Sequence, residues 1–296
     1  MSRMNKLGII GIGYWGKNLI RDLSKYSEIK KCTSKGNSQN IRWLKKNYPG
    51  INYVSTQKNI FDDNEINAVV ISTPIKTHYS IVKKALLSKK HVFVEKPICL
   101  NVSDADELIK IAKKNNLLLF VGHIFTFNQI LKKLIKISKK EKITYAYFEW
   151  KKFGTFDEDI FLNLLSHDIS IILSLFEKPK RFELLSSYGF ISKCDLFTLN
   201  VVLAKNKNCL INVNRYSNNK QKSVTIFTEK NVYLWDDLKL YKNNKKTNTF
   251  ELIYESKISP LEIECKEFVT QLNESSKSFQ YASLAKDVIQ VIQKLK

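Results

Sequence analysis

Residues 6–23 read KLGIIGIGYWGKNLIRDL. An apolar run stops at Gly11, glycines recur at Gly13 and Gly16, and apolar residues return at helical spacing with Trp15, Leu19, Ile20 and Leu23. Few folds accommodate that order. It describes a buried strand, a tight turn and a helix opening at once. In such a turn the first glycine permits the sharp bend and the second lets backbone approach a pyrophosphate. The third lets helix and strand pack closely, and the helix N-terminus faces the phosphates. Three glycines alone say little; the strand before them and the helix after them make this a nucleotide-binding turn. Tyr14 and Trp15 occupy its two free positions. Trp15 is expected to pack in the helix–sheet or interdomain region, and Tyr14 to lie near the mouth of a cleft.

The alternation continues. EIKKCT (28–33) reads as a strand and NIRWLKKNY (40–48) as a helix stopped by Pro49-Gly50. INYVS reads as a strand. NAVVIST (67–73) is a β-branched run without polar alternation, as a parallel strand covered on both faces requires. THYSIVKKALLSKK is helical, HVFVEKP is a strand, SDADELIKIAKKNN is a helix capped by Ser103, and LLLFVG closes the series. Repeated strand–helix units imply a doubly wound parallel sheet over residues 1–121.

Residues 122–296 change character. The helix FNQILKKLIKIS precedes the strand KITYAYFEWKKF, and an apolar helix spans 159–176. Strand-like runs follow in RFELLSSYGF, DLFTLNVVLA, CLINVNRY, KSVTIFTE, NVYLWDD and LKLYKN, and residues 243–249 read as an exposed turn. Two helices, PLEIECKEFVTQL and YASLAKDVIQVIQKL, complete a second, α+β domain with an open, mainly antiparallel sheet. These last helices can pack back on the first domain.

Composition narrows the functional classes. The formal charge is +21, but only Arg3, Arg21, Arg42, Arg181 and Arg215 supply the planar fork that base and phosphate readers favour. The lysines are spread along the chain, so nucleic acid is not the expected partner; a positive field would still attract an anionic small molecule. Cys32, Cys99, Cys194, Cys209 and Cys265 stand singly, which indicates neither a metal site nor a disulfide framework. No apolar run approaches the roughly 18 residues of a membrane span, and the N-terminus lacks a signal-peptide core. A cytoplasmic protein is the expectation.

Several residues carry chemistry. The second strand of a dinucleotide fold ordinarily ends in a ribose-binding acid, but here Thr33, Ser34 and Lys35 follow Cys32. They suit a 2′-phosphate, which leans the cofactor from NAD toward NADP. Glu95-Lys96-Pro97 stands at the carboxyl end of a strand, where open α/β sheets bind ligands. Spacing alone leaves Lys96 indistinguishable from a solvated lysine. In DIFLNLLSHDISIILSLF, Asn163, His167, Ser170 and Ser174 form one polar stripe on an apolar helix, and Asp168 points away from it. Such a stripe faces either a partner or a wet cleft, unless His167 is a satisfied core histidine. His123 falls at the domain junction, His78 just after a strand end, and His91 at the start of a strand, where a structural role is expected.

Together these segments resemble the Gfo/Idh/MocA family of NAD(P)-dependent oxidoreductases nearly end to end. GIGYWGKN is similar to the opening of its nucleotide-sugar branch. AVVISTPIKTHYSIVKKAL, KKHVFVEKPICL, LLLFVGHIFTFNQ, NLLSHDISIILSL and PLEIECKEFVTQL follow in the family's order. The resemblance implies a Rossmann domain joined to an α+β domain whose open sheet builds a homodimer or tetramer. It implies cofactor contacts from Gly11, Gly13, Tyr14, Trp15, Gly16, Thr73, Pro74, His78, Glu95 and Lys96, besides Thr33, Ser34 and Lys35. It implies substrate contacts from Lys96, His123, Asn128, Asn163 and His167. Lys96 and His167 take the catalytic roles on a sugar hydroxyl that becomes a carbonyl, with no metal. The branch it resembles, carrying Tyr-Trp-Gly-Lys-Asn, includes enzymes that oxidise C3 of UDP-N-acetylglucosamine or its uronate for surface-polysaccharide synthesis, so a nucleotide sugar is the expected substrate. Two departures stand out: Asn163 replaces the family's aspartate four residues before the histidine, and the ribose acid is missing. A dehydrogenase of free sugars or inositols, and a non-catalytic NAD(P)-binding sensor, remain as alternatives.

Overall fold

The computed structural model describes residues 4–295 apart from 37, 177, 205 and 206. By packing, the chain divides into two compact units. One is Met1–His123 with Leu261–Gln290; the other is Ile124–Pro260 with Val291–Lys296.

In the first unit, β1 (Lys6–Ile10), α1 (Tyr14–Leu23), β2 (Glu28–Thr33), α2 (Ser38–Asn47), β3 (Asn52–Tyr53) and α3 (Lys58–Phe61) lead to β4 (Ala68–Ile71). Then come α4 (His78–Leu87), β5 (His91–Glu95), α5 (Val102–Lys114) and β6 (Leu119–Gly122). The strands form one sheet in the order β3-β2-β1-β4-β5-β6, every pair parallel. This is the doubly wound Rossmann order, whose direction reverses between β1 and β4. The unbroken apolar runs have the expected cause: Ala68, Val69, Val70 and Ile71 are all fully buried, because helices cover both faces. The cap of α5 is a correction. Asn101, not Ser103, accepts the backbone N–H of Asp104 at 2.8 Å, and the Ser103 hydroxyl donates to Asn101 Oδ1 at 2.7 Å. Asparagine caps as well as serine does, and the helix starts two residues earlier.

The second unit begins with α6 (Gln129–Ser138) and β7 (Ile143–Phe153). One turn of π-helix, Phe161–Leu165, runs into α7 (Ser166–Leu175). Seven strands follow: β8 (Arg181–Tyr188), β9 (Leu196–Val202), β10 (Asn208–Asn214), β11 (Tyr216–Thr228), β12 (Val232–Asp236), β13 (Lys239–Asn244) and β14 (Thr249–Glu255). The sheet order is β14-β13-β12-β11-β7-β10-β9-β8, with β7 and β10 parallel and the other pairs antiparallel. Strict alternation marks its half-buried strands: Phe197, Leu199, Val201, Cys209, Ile211 and Val213 are fully buried, and the residues between them are not. The edge strand β14, which sequence analysis passed over, has six of seven residues exposed. Its turn from β13 occupies 245–248, shorter than the segment 243–249 read from sequence.

A buried pair fastens this sheet to its loops. Arg215 and Asp195 side chains are 1% and 0% exposed and lie 3.1 Å apart. Arg215 also donates to the carbonyls of Thr155 and Glu158, both at 2.6 Å, and Asp195 accepts the N–H groups of Phe190, Ile191 and Ser192.

Helices α8 (Pro260–Asn273) and α9 (Gln280–Gln293) end the chain. Ala282, Ala285 and Ile289 of α9 join the core formed by β4, β5, α4 and α5. The first unit is therefore assembled from both ends of the sequence.

Candidate active site

The fingerprint turn lies at the carboxyl edge of the first sheet. Gly11 has φ +106°, and a Cβ there would stand 2.5 Å from the Ser72 carbonyl oxygen. A Cβ on Gly16 would stand 2.1 Å from the Gly11 oxygen, so α1 crosses the turn at backbone contact. Gly13 is the N-cap residue of α1 and has nothing within 4 Å of its Cβ position. No side chain caps α1, and its first turn holds no acid. A helix N-terminus with no side-chain cap at Gly13 leaves N–H groups and the positive end of the dipole for an anion, an arrangement suited to a pyrophosphate. Tyr14 is 84% exposed. The Trp15 indole N–H donates to Glu95 Oε1, joining the turn to the end of β5.

Beyond β2, an open hollow of about 670 Å³ is lined by Lys35, Gly36, Ser38, Gln39 and Arg42. No carboxylate lines it. Of the three residues selected from sequence, Lys35 lies in the hollow. Thr33 is buried and gives its carbonyl to the Gly11 N–H at 2.9 Å, and the Ser34 carbonyl accepts from the Tyr53 hydroxyl at 3.1 Å. Arg42 was missed because it sits a turn inside α2; only the return of a helix beside the loop brings it there.

At the end of β4, the Thr73 and Thr77 hydroxyls pair at 2.7 Å after the extended Pro74. His78 is buried, with Nδ1 2.8 Å from the Pro97 carbonyl and Nε2 2.6 Å from the Thr73 carbonyl. Carbonyls only accept, so the neutral ring donates to one of the two while its other nitrogen merely faces the second, and His78 bridges the ends of β4 and β5. Burial depresses its pKa, against the pull of the two carbonyls. Lys96 follows β5. Its positive charge bears on His78, on Glu95 and on His123. Burial lifts Glu95 to about 7 although Trp15 and Lys96 oppose it. Burial, then Lys96, drives His123 down to about 3, so its imidazole is neutral at physiological pH.

The second unit holds the other candidates. His167 is 8% exposed, its ring centroid 5.0 Å from Phe125 and 5.1 Å from Trp150. Lys222 of β11 stands 4.7 Å and 3.9 Å from the centroids of those same two rings and pairs with Asp168. Asp168 does lie off the His167 stripe, but in a buried ion pair and not toward solvent. The polar stripe itself is only partly a cleft signal. Ser170 and Ser174 donate back to the carbonyls of His167 and Ser170, each at 2.7 Å, so the helix satisfies them itself. Asn163 lies in the π-helical turn and is half-buried. Asn128 is committed to backbone: it caps α6 by accepting the Ile130 N–H at 2.8 Å and donates to the Asp237 carbonyl at 3.2 Å. Among the described residues no group of three or more His, Cys, Asp or Glu could hold a metal ion.

Residues 5–123 match the oxidoreductase family Gfo/Idh/MocA, NAD-binding Rossmann fold. Residues 5–123 form a Gfo/Idh/MocA NAD-binding domain. The uncharacterized oxidoreductase YdgJ of Escherichia coli is 28% identical over 193 residues, which cover 60% of this chain and 56% of that protein. UDP-N-acetylglucosamine 3-dehydrogenase of Acidithiobacillus ferrooxidans is 30% identical over 116 residues, 38% of this chain and 36% of that enzyme. The matched segments thus span about a third to just over half of these curated relatives. The solved structure of the same dehydrogenase, GnnA, superposes with a TM-score of 0.88 at 20% identity, covering 99% of this chain and 97% of that one. At that identity the likeness concerns the fold. As a Gfo/Idh/MocA domain, this segment presents its glycine turn, Lys35, Arg42, Glu95 and Lys96 along one sheet edge. Among the described residues, no helix is long and apolar enough to cross a membrane.

Proposed function

We propose that the chain is an NAD(P)-dependent sugar oxidoreductase that acts on a ring C–OH of a nucleotide sugar. The observation that carries this reading is the position of Lys96. It stands on the same sheet edge as the open glycine turn, and its charge bears on Glu95, His78 and His123. The local likeness to a UDP-N-acetylglucosamine 3-dehydrogenase supports the substrate class. The acid-free hollow with Lys35 and Arg42 supports NADP, because a 2′-phosphate needs charge-assisted donors and a carboxylate would repel it.

When bound, the dinucleotide supplies a nicotinamide carbon that takes or gives hydride. The chain's own residues do the rest. The Lys96 ammonium donates to the substrate hydroxyl oxygen and stabilises charge that grows there. His167 takes the hydroxyl proton on one ring nitrogen, or returns it in reduction. Asn163 can orient an imidazole but, being an amide, cannot balance an imidazolium as a carboxylate would. The apolar walls of Phe125 and Trp150 limit His167 to few ring orientations. Exposed apolar side chains on the two edge strands, Leu184, Leu185 and Tyr188 of β8 with Phe250, Leu252 and Ile253 of β14, support assembly into a homodimer or tetramer.

The test mixes the protein with UDP-N-acetylglucosamine or its uronate and NADP⁺ or NAD⁺, and follows reduced nicotinamide absorbance. Turnover that falls at least a hundredfold in Lys96→Ala and in His167→Ala is expected. Tight cofactor binding with no turnover on any sugar would replace this reading with that of a sensor.

A further inference from the structure

Helix α8 buries Leu261, Glu264, Cys265, Phe268, Val269 and Leu272, so Glu264 stands in the middle of an apolar stripe. Its side chain is fully buried, and among the described residues neither carboxylate oxygen has a hydrogen-bond partner. Its surroundings are aromatic. A Cβ on Gly122 would lie 3.0 Å from the Phe93 ring and 3.3 Å from Glu264 Oε1, so ring and carboxyl border the same small space. Phe268, one helical turn along, meets Phe93 and Phe120 edge-on at 5.3 Å and 5.5 Å.

The groups that act on Glu264 make ionisation still harder. Glu95, of like charge, is the one that bears on its carboxyl. Cys265 and Tyr281 also feel Glu264, and burial keeps both of them neutral. Glu95 in turn has the Trp15 N–H and the charge of Lys96 on its side. One carboxyl therefore has a donor and a cation, and the other has neither. An ionised carboxylate without a bond in apolar surroundings is costly, and taking up a proton removes that cost.

We propose that Glu264 keeps its proton in the folded protein, so that Glu95 and Glu264 together carry no more than one negative charge beside Lys96. Glu264 is then a positioning residue that acts through Glu95. While it stays neutral, Glu95 is free to serve as counter-charge to Lys96. Were it ionised, its negative charge would repel that of Glu95. The bearing of this balance on catalysis rests on the function proposed above; the protonation itself does not.

Infrared spectroscopy of the full chain without cofactor tests it. At neutral pH, the wild-type spectrum minus that of Glu264→Gln should show the C=O stretch of a protonated carboxylic acid, displaced in D₂O. In Glu95→Gln the acid band should persist at a changed frequency. Two results overturn the proposal: no acid band in the wild-type difference spectrum, or a band that vanishes in Glu95→Gln and survives in Glu264→Gln. Should Glu264→Gln fail to fold, pH titration of the wild type decides, because a band lost well below neutrality overturns the proposal equally. A protein inert toward sugars that keeps the band removes the proposed function alone, and an active one lacking the band removes this inference alone.

Discussion

The Asp168–Lys222 pair lends itself to a quantitative test. The two side chains are 1% and 14% exposed, and Asp168 Oδ2 has no hydrogen-bond partner. Burial pushes the Asp168 carboxyl up and the Lys222 ammonium down, while their mutual attraction pulls each back. Such a pair is held together at high desolvation cost. Removing one member strands the other, so Asp168→Leu or Lys222→Met alone should destabilise by about 3–5 kcal/mol. Removing both abolishes the desolvation cost and forfeits chiefly the contact of the ammonium with Trp150 and Phe125, about 2 kcal/mol when desolvated. The Asp168→Leu/Lys222→Met double variant should therefore lie within about 2 kcal/mol of wild type, with a coupling energy above about 3 kcal/mol. Urea unfolding followed by tryptophan fluorescence measures all of these. The coupling should survive high salt, since buried pairs are poorly screened. Two additive single variants each costing under about 1 kcal/mol would show a solvated pair and refute the reasoning.

Gly16→Ala forces a Cβ to within 2.1 Å of backbone, so it should lose about 1–3 kcal/mol and bind cofactor poorly. Gly13→Ala meets nothing within 4 Å, so melting should stay near wild type while cofactor affinity falls. Equal melting temperatures for the two would contradict the close helix crossing. Arg42→Ala should weaken NADPH binding by about 10- to 100-fold, the loss of one charge-assisted contact, and leave NADH binding unchanged. An equal loss for both cofactors in a fluorescence titration would argue against a 2′-phosphate in the hollow. His91 and His123 are lowered by burial to about 4 and about 3. Below the unfolded pKa of about 6.5 the unfolded chain binds more protons, so stability is whole above that pH and falls as pH drops toward 4. Each histidine contributes a slope of up to about 1.4 kcal/mol per pH unit. His91→Leu should flatten the decline, as urea midpoints across that range would reveal.

The Rossmann sheet was legible because its signals are local. Unbroken apolar runs, a glycine turn and strand–helix alternation all sit within a few tens of residues. The antiparallel strands were legible where burial alternates, as in Phe197-x-Leu199-x-Val201. Strand β14 was not, because its side chains are mostly exposed and leave no pattern. The site divided along the same line. Lys96 and the glycines belong to compact motifs that a sequence displays. Lys222 meets Asp168 across 54 residues, and Arg42 enters its hollow through a helix return, so neither announces itself in spacing. His78 and Asn128, read from sequence as ligand contacts, also serve the fold, on carbonyls and at a helix cap, which spacing does not display. Glu264 passed unremarked in sequence, although an acid inside an apolar stripe is a conflict of pattern that marks a special environment.

Because α8 and α9 complete the first unit, the ribosome makes that unit in two instalments. Residues 4–123 emerge first, carrying the sheet and the glycine turn, yet the core still lacks Phe268, Ala282, Ala285 and Ile289. The whole second unit must be synthesised before those side chains arrive. A nascent chain therefore carries an apolar face open to solvent or chaperones until α8 and α9 emerge, and firm nucleotide binding should begin only once residue 290 has left the ribosome. A stalled chain ending before residue 261 should hold a folded second sheet beside an uncommitted first one. Pulse proteolysis of ribosome-bound chains of increasing length would time that closure.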